Sequence, residues 1–316
     1  MNKLDIEKWK TFIDDEDKYS VDAGCRYDFD SFMRELNEND YPLEWSLFPL
    51  DEIVSRSWVN ATLEELKTKP KQIFDKFINT IGGDEVPQSV LFRKTFHKNT
   101  NSLMNDYALL AWSIRVVSKA FSECCTQEYD SDFITKEFFI EVAQLSHYED
   151  GPIRAKNLLA ENGIALVIEK SLPGAIFNGA AIPTRRGMPV IGLTLQYDRV
   201  DNFWFTLLHE LAHVWKHFDD VNELYVDYFG SGEQENDIKE DEANSIAREA
   251  LIPKSYLMHD AFILKTNAAV EDLAEELNIS TAIVAGRIQF DLKQYNIFRK
   301  YVDVRIRHLF KDVDWV

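Results

Sequence analysis

The sequence predicts an α+β fold: a small antiparallel sheet, then one long helix, then further helices, all preceded by a mostly α-helical region. Three observations carry that expectation. Strand-like runs cluster between residues 164 and 195. A helix-period segment with two histidines one turn apart follows them directly. Helical patterns dominate on both sides, through about residue 145 and again from Asp241 to the end.

Taken in chain order, Asp51-Glu52-Ile53-Val54 and Leu63-Glu64-Glu65-Leu66-Lys67 begin helical patterns, and Pro70 suits the first turn of another. Tyr107 to Phe121 is apolar nearly all round, the signature of a buried helix. Gly82-Gly83-Asp84 and His97 to Asn101 read as loops. A helix from Ile153 to Asn162 closes at Gly163, a residue at ease in the left-handed conformation. The strand-like runs are Ile164 to Ile168, Ala175 to Ile182 and Pro189 to Leu195, with Arg185-Arg186-Gly187 as a hairpin tip. Asp201 is a good N-cap for a long helix through His217. Val270 to Arg287 has a helix-turn-helix-like pattern, in which Ser280 to Ile288 would be the recognition helix. Glu271, Asp272, Glu275 and Glu276 would repel a phosphate backbone, so the pattern reads as two helices completing the domain.

Composition narrows the function classes. Of 316 residues, 45% are hydrophobic, which suits a globular chain with a real core. No run approaches 18 apolar residues, and Met1 to Glu7 lacks a basic stretch followed by an apolar one, so neither a spanning helix nor a secretory signal is expected. Three cysteines, two of them adjacent at Cys124-Cys125, point to reduced thiols and a cytoplasmic setting. A net charge of −19 argues against direct DNA binding, which requires a basic footprint.

The chemistry centres on His209-Glu210-Leu211-Ala212-His213. Residues four apart share a helix face, so the two imidazoles can meet one ion, leaving room for a third protein ligand and a water. Glu210 is placed to take a proton from that water. By chance, 7 histidines in 316 residues give roughly 0.1 pairs at this spacing, and about 0.01 with Glu after the first. Trp204, Leu208, Leu211 and Trp215 form an apolar stripe that would hold the helix rigidly. For the third ligand, Asp219 stands where one pattern places it, but Lys216 occupies the position of the glycine that would let the chain turn. His217 is eight residues from His209, about 12 Å of rise, too far for the same ion and better suited to supporting the site. A Glu on a following helix, the gluzincin solution, fits Glu240, with Glu242 as the runner-up and Asn244 supporting a ligand from behind. Tyr225, Tyr228 and His259 are of the types that stabilise an oxyanion.

Phe205 to His213, the Glu240 to Pro253 segment (Glu-x-x-x-Asn-x-x-Ala-x-x-x-Leu-x-Pro) and the strand Pro189 to Leu195 together resemble the ImmA/IrrE family of metallopeptidases, over roughly residues 150 to 290. The resemblance is to the antitoxin-associated subtype. It implies a zincin-like fold, zinc held by His209, His213 and Glu240, and Glu210 as general base. It also implies action on regulatory proteins such as repressors, in a stress, mobile-element or toxin–antitoxin setting. Residues 1 to 50 depart from the subtype: they show no clear helix-turn-helix, and Asp14-Asp15-Glu16-Asp17 is an unfavourable surface for phosphate. The expected organisation is a helical regulatory or interaction region at 1–148 and a zincin-like metallopeptidase domain with C-terminal helices at 149–316. The expected function is a zinc endopeptidase acting on a protein regulator. The alternative is a regulatory, antitoxin-like binding module that uses the zinc fold as scaffold or sensor.

Overall fold

The structure, a computed structural model, describes residues 45–81, 102–123, 127–184, 186–218, 225–228 and 238–315, with backbone alone at 102–106 and 225–228. The loops expected at Gly82-Gly83-Asp84 and His97 to Asn101 lie outside the described residues, as do Asp14 to Asp17 and Cys124-Cys125.

Among the described residues, the first α-helices are three short ones: α1 (Leu50–Ser55), α2 (Leu63–Thr68) and α3 (Pro70–Ile78). Thr62 starts α2 with a capping box, its hydroxyl accepting from the Glu65 N–H at 3.1 Å while its own N–H donates to the Glu65 carboxylate at 2.8 Å. Pro70 opens α3, where a missing N–H does no harm. The buried face of α3 places Phe74 edge-on to Phe48, which also meets Tyr107 of α4 (Ser102–Glu123). The α4 helix is buried through Trp112, as its all-round apolar pattern requires.

After α5 (Lys136–Gln144), helix α6 (Gly151–Glu161) ends at Gly163, whose φ of +76° is left-handed and where a Cβ would stand 2.6 Å from the Tyr129 backbone nitrogen. Four strands follow: β1 (Ala165–Ile168), β2 (Phe177–Ile182), β3 (Val190–Leu193) and β4 (Tyr225–Tyr228), in the order β1-β3-β2-β4. β4 was not expected from the sequence. The sheet is mixed rather than antiparallel throughout, because β1 pairs with β3 in parallel. The reason is topological. The β2–β3 hairpin turns at Gly187 (φ +78°), whose N–H bonds the Thr184 carbonyl, and it places β3 between β1 and β2. Antiparallel to β2, β3 then runs with β1.

Helices cover both faces of the sheet. Leu166, Ile168, Ala181, Ile191 and Leu193 alternate toward the main core, shared with Leu207, Leu208 and Leu211 of α7 (Val200–His217). Gly192 faces the other way, where a Cβ would stand 2.5 Å from the Trp112 ring of α4. Each of β1 and β3 is therefore buried along its whole length.

Helix α7 starts at Val200, one residue before the expected cap, and Arg199 is its N-cap residue. Asp201 lies inside the first turn, where its carboxylate takes two hydrogen bonds from the Arg199 guanidinium at 2.9 and 2.6 Å. Helices α8 (Ile238–Leu251), α9 (Asp260–Ile263), α10 (Asn267–Leu277), α11 (Thr281–Leu292) and α12 (Arg299–Val302) complete the described chain. The α10–α11 pair is the helix-turn-helix-like unit. It turns through Asn278 in the left-handed region, and Val270, Leu273, Ile283, Val284 and Ile288 enter the same core as the sheet. Gly286 lets α11 press on α7, since a Cβ there would meet the Asp201 carboxylate at 2.2 Å. No described helix is long and apolar enough to cross a membrane.

Candidate metal centre

Helix α7 buries more than the four-residue stripe read from the sequence. Phe203, Trp204, Leu207, Leu208, Leu211, Ala212 and Val214 are all buried, with Trp215 half-buried against Phe139. Packing on nearly every side fixes the rotation of the helix, and with it the bearing of each imidazole. His209, Glu210 and His213 are at most 1% exposed. Across from them, α8 meets α7 through the small residues Ala243 and Ala247, which allow a close approach. Glu240 sits in the first turn of α8, where the helix dipole favours a carboxylate.

The Nε2 atoms of His209 and His213 are 3.1 Å apart. Glu240 spans them, with Oε2 at 3.2 Å from His209 Nε2 and Oε1 at 3.5 Å from His213 Nε2. One donor atom from each residue lies within 4.8 Å of the others. Tetrahedral zinc with bonds of about 2.1 Å separates its ligand atoms by about 3.4 Å, so these spacings suit such an ion. The chemistry of the donor set agrees. Burial pushes the His213 pKa down to about 4 against the pull of Glu240, leaving a neutral imidazole with a lone pair to offer. Burial would raise the Glu240 carboxyl, but the His209 and His213 imidazoles that face it outweigh burial and hold the group ionised, below the usual carboxylate range.

Among the other expected residues, Glu242 does not join this cluster. It lies 3.1 Å from His217 Nε2, and His217 Nδ1 is 2.9 Å from His213 Nδ1. His217 thus stands behind His213, on the Nδ1 side of its ring. Asn244, one turn beyond Glu240, is half-buried and makes no hydrogen bond to His209, His213 or Glu240. His259 caps α9 by accepting from the Ala261 N–H, and its other nitrogen lies 3.4 Å from Asp272, so its ring is committed elsewhere. Asp219 and the side chains of Tyr225 and Tyr228 lie outside the described residues.

Sequence reasoning missed Gly179. It sits in β2 beneath α7, where a Cβ would come within 2.8 Å of Leu193, 2.9 Å of Thr206 and 3.0 Å of Glu210 Oε1. The strand is bare at the point where the Glu210 carboxylate lies over it. A glycine inside a strand run is the signal that could have revealed this close approach.

Residues 165–289 match the peptidase family described as the IrrE N-terminal-like domain. The match starts at the first residue of β1, ends in α11, and contains His209, Glu210, His213 and Glu240. The resemblance to ImmA/IrrE metallopeptidases stands over this span. No curated protein matches the chain.

Proposed function

We propose that the chain is a zinc-dependent endopeptidase of gluzincin type, cutting a protein substrate that is a repressor or another regulator. The setting proposed is cytoplasmic, in a stress, mobile-element or toxin–antitoxin system. The observation that carries this reading is the meeting of His209, His213 and Glu240 at ligand spacing, next to buried Glu210 and inside a peptidase-family domain. His209, His213 and Glu240 would hold zinc, with Glu210 as general base. When bound, zinc would supply Lewis acidity toward the scissile carbonyl and lower the pKa of water toward about 7. Glu210 would take the proton of the attacking water and return it to the departing amine nitrogen, so the carboxylate is regenerated as the amide bond breaks. The region 1–148 is proposed as the part that selects or senses the regulator. The acidic balance and the inward apolar faces of α10 and α11 speak against contact with duplex DNA.

The test is zinc-dependent cleavage of a partner protein by purified wild type and Glu210→Gln. Loss of a general base should lower turnover by about 10²- to 10⁴-fold while zinc stays bound. Equal cleavage by both proteins removes the catalytic claim. Full biological activity of Glu210→Gln, abolished only by N-terminal truncation, would instead select the regulatory binding module.

A further inference from the structure

We propose that His217 and Glu242 form a positioning relay that fixes His213 in the tautomer a metal ion requires, a role resting on the zinc reading of the same site. His217 is 5% exposed and lies one turn past His213 on α7, while Glu242 reaches over from α8. The three groups form a line: Glu242 Oε2 to His217 Nε2 at 3.1 Å, then His217 Nδ1 to His213 Nδ1 at 2.9 Å.

The direction of each hydrogen follows from the carboxylate end. An ionised carboxylate only accepts, and a neutral imidazole has one N–H and one lone pair. His217 therefore donates from Nε2 to Glu242, which leaves its Nδ1 as an acceptor. That acceptor requires His213 to carry its hydrogen on Nδ1. His213 Nε2 is then left with a lone pair, and it is this atom that faces His209 Nε2 at 3.1 Å and Glu240 Oε1 at 3.5 Å. The opposite tautomer would direct an N–H at the cluster and deny the ion a ligand. Partners behind a ligand imidazole orient its ring and set its tautomer in this manner.

The two ligand histidines are not treated alike. His209 Nδ1 is buried and makes no hydrogen bond among the described residues. The relay acts on His213 alone, from α8, the helix that also supplies Glu240. Helix α8 thus contributes twice, with one carboxylate to the cluster and another two residues later to the ring behind it.

The experiment is competition for Zn²⁺ against a chromophoric chelator, with the Co²⁺ absorption spectrum as a second readout, on the full chain. The variants are His217→Phe, Glu242→Ala, the double variant, and Asp241→Asn as a control for a neighbouring charge. Zinc affinity should fall about 10- to 100-fold in His217→Phe and by a smaller factor in Glu242→Ala. The double variant should be no weaker than His217→Phe, the cobalt spectrum should change in all three, and Asp241→Asn should match wild type. Melting of the metal-free proteins separates a packing effect: the relay predicts that the zinc-induced gain in melting temperature shrinks. Wild-type affinity in His217→Phe and Glu242→Ala, or losses that simply add in the double variant, would overturn the relay alone. A wild-type chain that binds no zinc would overturn both the relay and the peptidase reading.

Discussion

At the scale of single residues, spacing along one helix translates directly into space, so the meeting of His209 and His213 was legible from the sequence. The partner carboxylate was harder. Glu240 and Glu242 are two positions apart, about 200° around a helix, so they cannot both address one cluster. The buried Ala243 and Ala247 identify the face, because Glu240 precedes them by three and seven residues and shares their side of α8. Glu242 instead reaches His217. Gly179 was illegible in another way, since its role is to be absent where Glu210 needs room. Gly179→Ala should force Leu193, Thr206 and the Glu210 carboxylate to shift. Overpacking of this kind costs about 1–3 kcal/mol, and cleavage should fall further than stability accounts for, with zinc still bound. Denaturant titration beside turnover measurements checks it, and unchanged turnover would show that Glu210 tolerates the crowding.

At the scale of elements, periodicity located helices well and described the sheet poorly. The strand runs were visible as apolar segments, but burial on both faces erases the alternation from which orientation is read. Parallel pairing of β1 with β3 depends on which strand fills the central place, a choice made by the hairpin and by the connection from β1 to β2. β4 is only four residues long, and Tyr225-Val226-Asp227-Tyr228 offers β-forming residues but little pattern. The α4 helix was legible as buried, though not what it would cover. Trp112 answers that: it lies against Gly192, meets Phe177 edge-on at 4.7 Å and donates its indole N–H to the Glu169 carbonyl at 2.9 Å. Helix 102–123 is therefore a layer over the sheet, on the face opposite α7. Trp112→Ala should cost about 3–5 kcal/mol in global stability, measured by denaturant unfolding. A loss under about 1 kcal/mol would mean that this layer detaches without consequence for the sheet.

At the scale of the whole molecule, the net charge of −19 and the buried cluster act on stability in distinct ways. Surface repulsion between carboxylates is screened by salt, whereas the buried groups are screened much less. The cluster therefore leaves its mark in pH dependence that persists at high salt. His213 titrates near 6.5 when unfolded and near 4 when folded, so between those values the unfolded chain binds the extra proton. Its contribution is complete above pH 6.5 and is lost as pH falls toward 4. Glu240, held below its unfolded value of 4.5, adds a loss of the same sign at lower pH. A zinc ion held as proposed would reinforce this direction, because protons would compete with it for the same nitrogens. Melting in chelator should thus show stability declining from about pH 6.5 downward in high salt. Zinc at about a hundredfold excess over its dissociation constant should add about 2.7 kcal/mol at neutral pH, a gain that shrinks through the same window. The His213→Ala protein should show neither the zinc gain nor the His213 part of the acid slope. If it retained both, the neutral imidazole at the centre of the cluster would not be what couples proton, metal and fold.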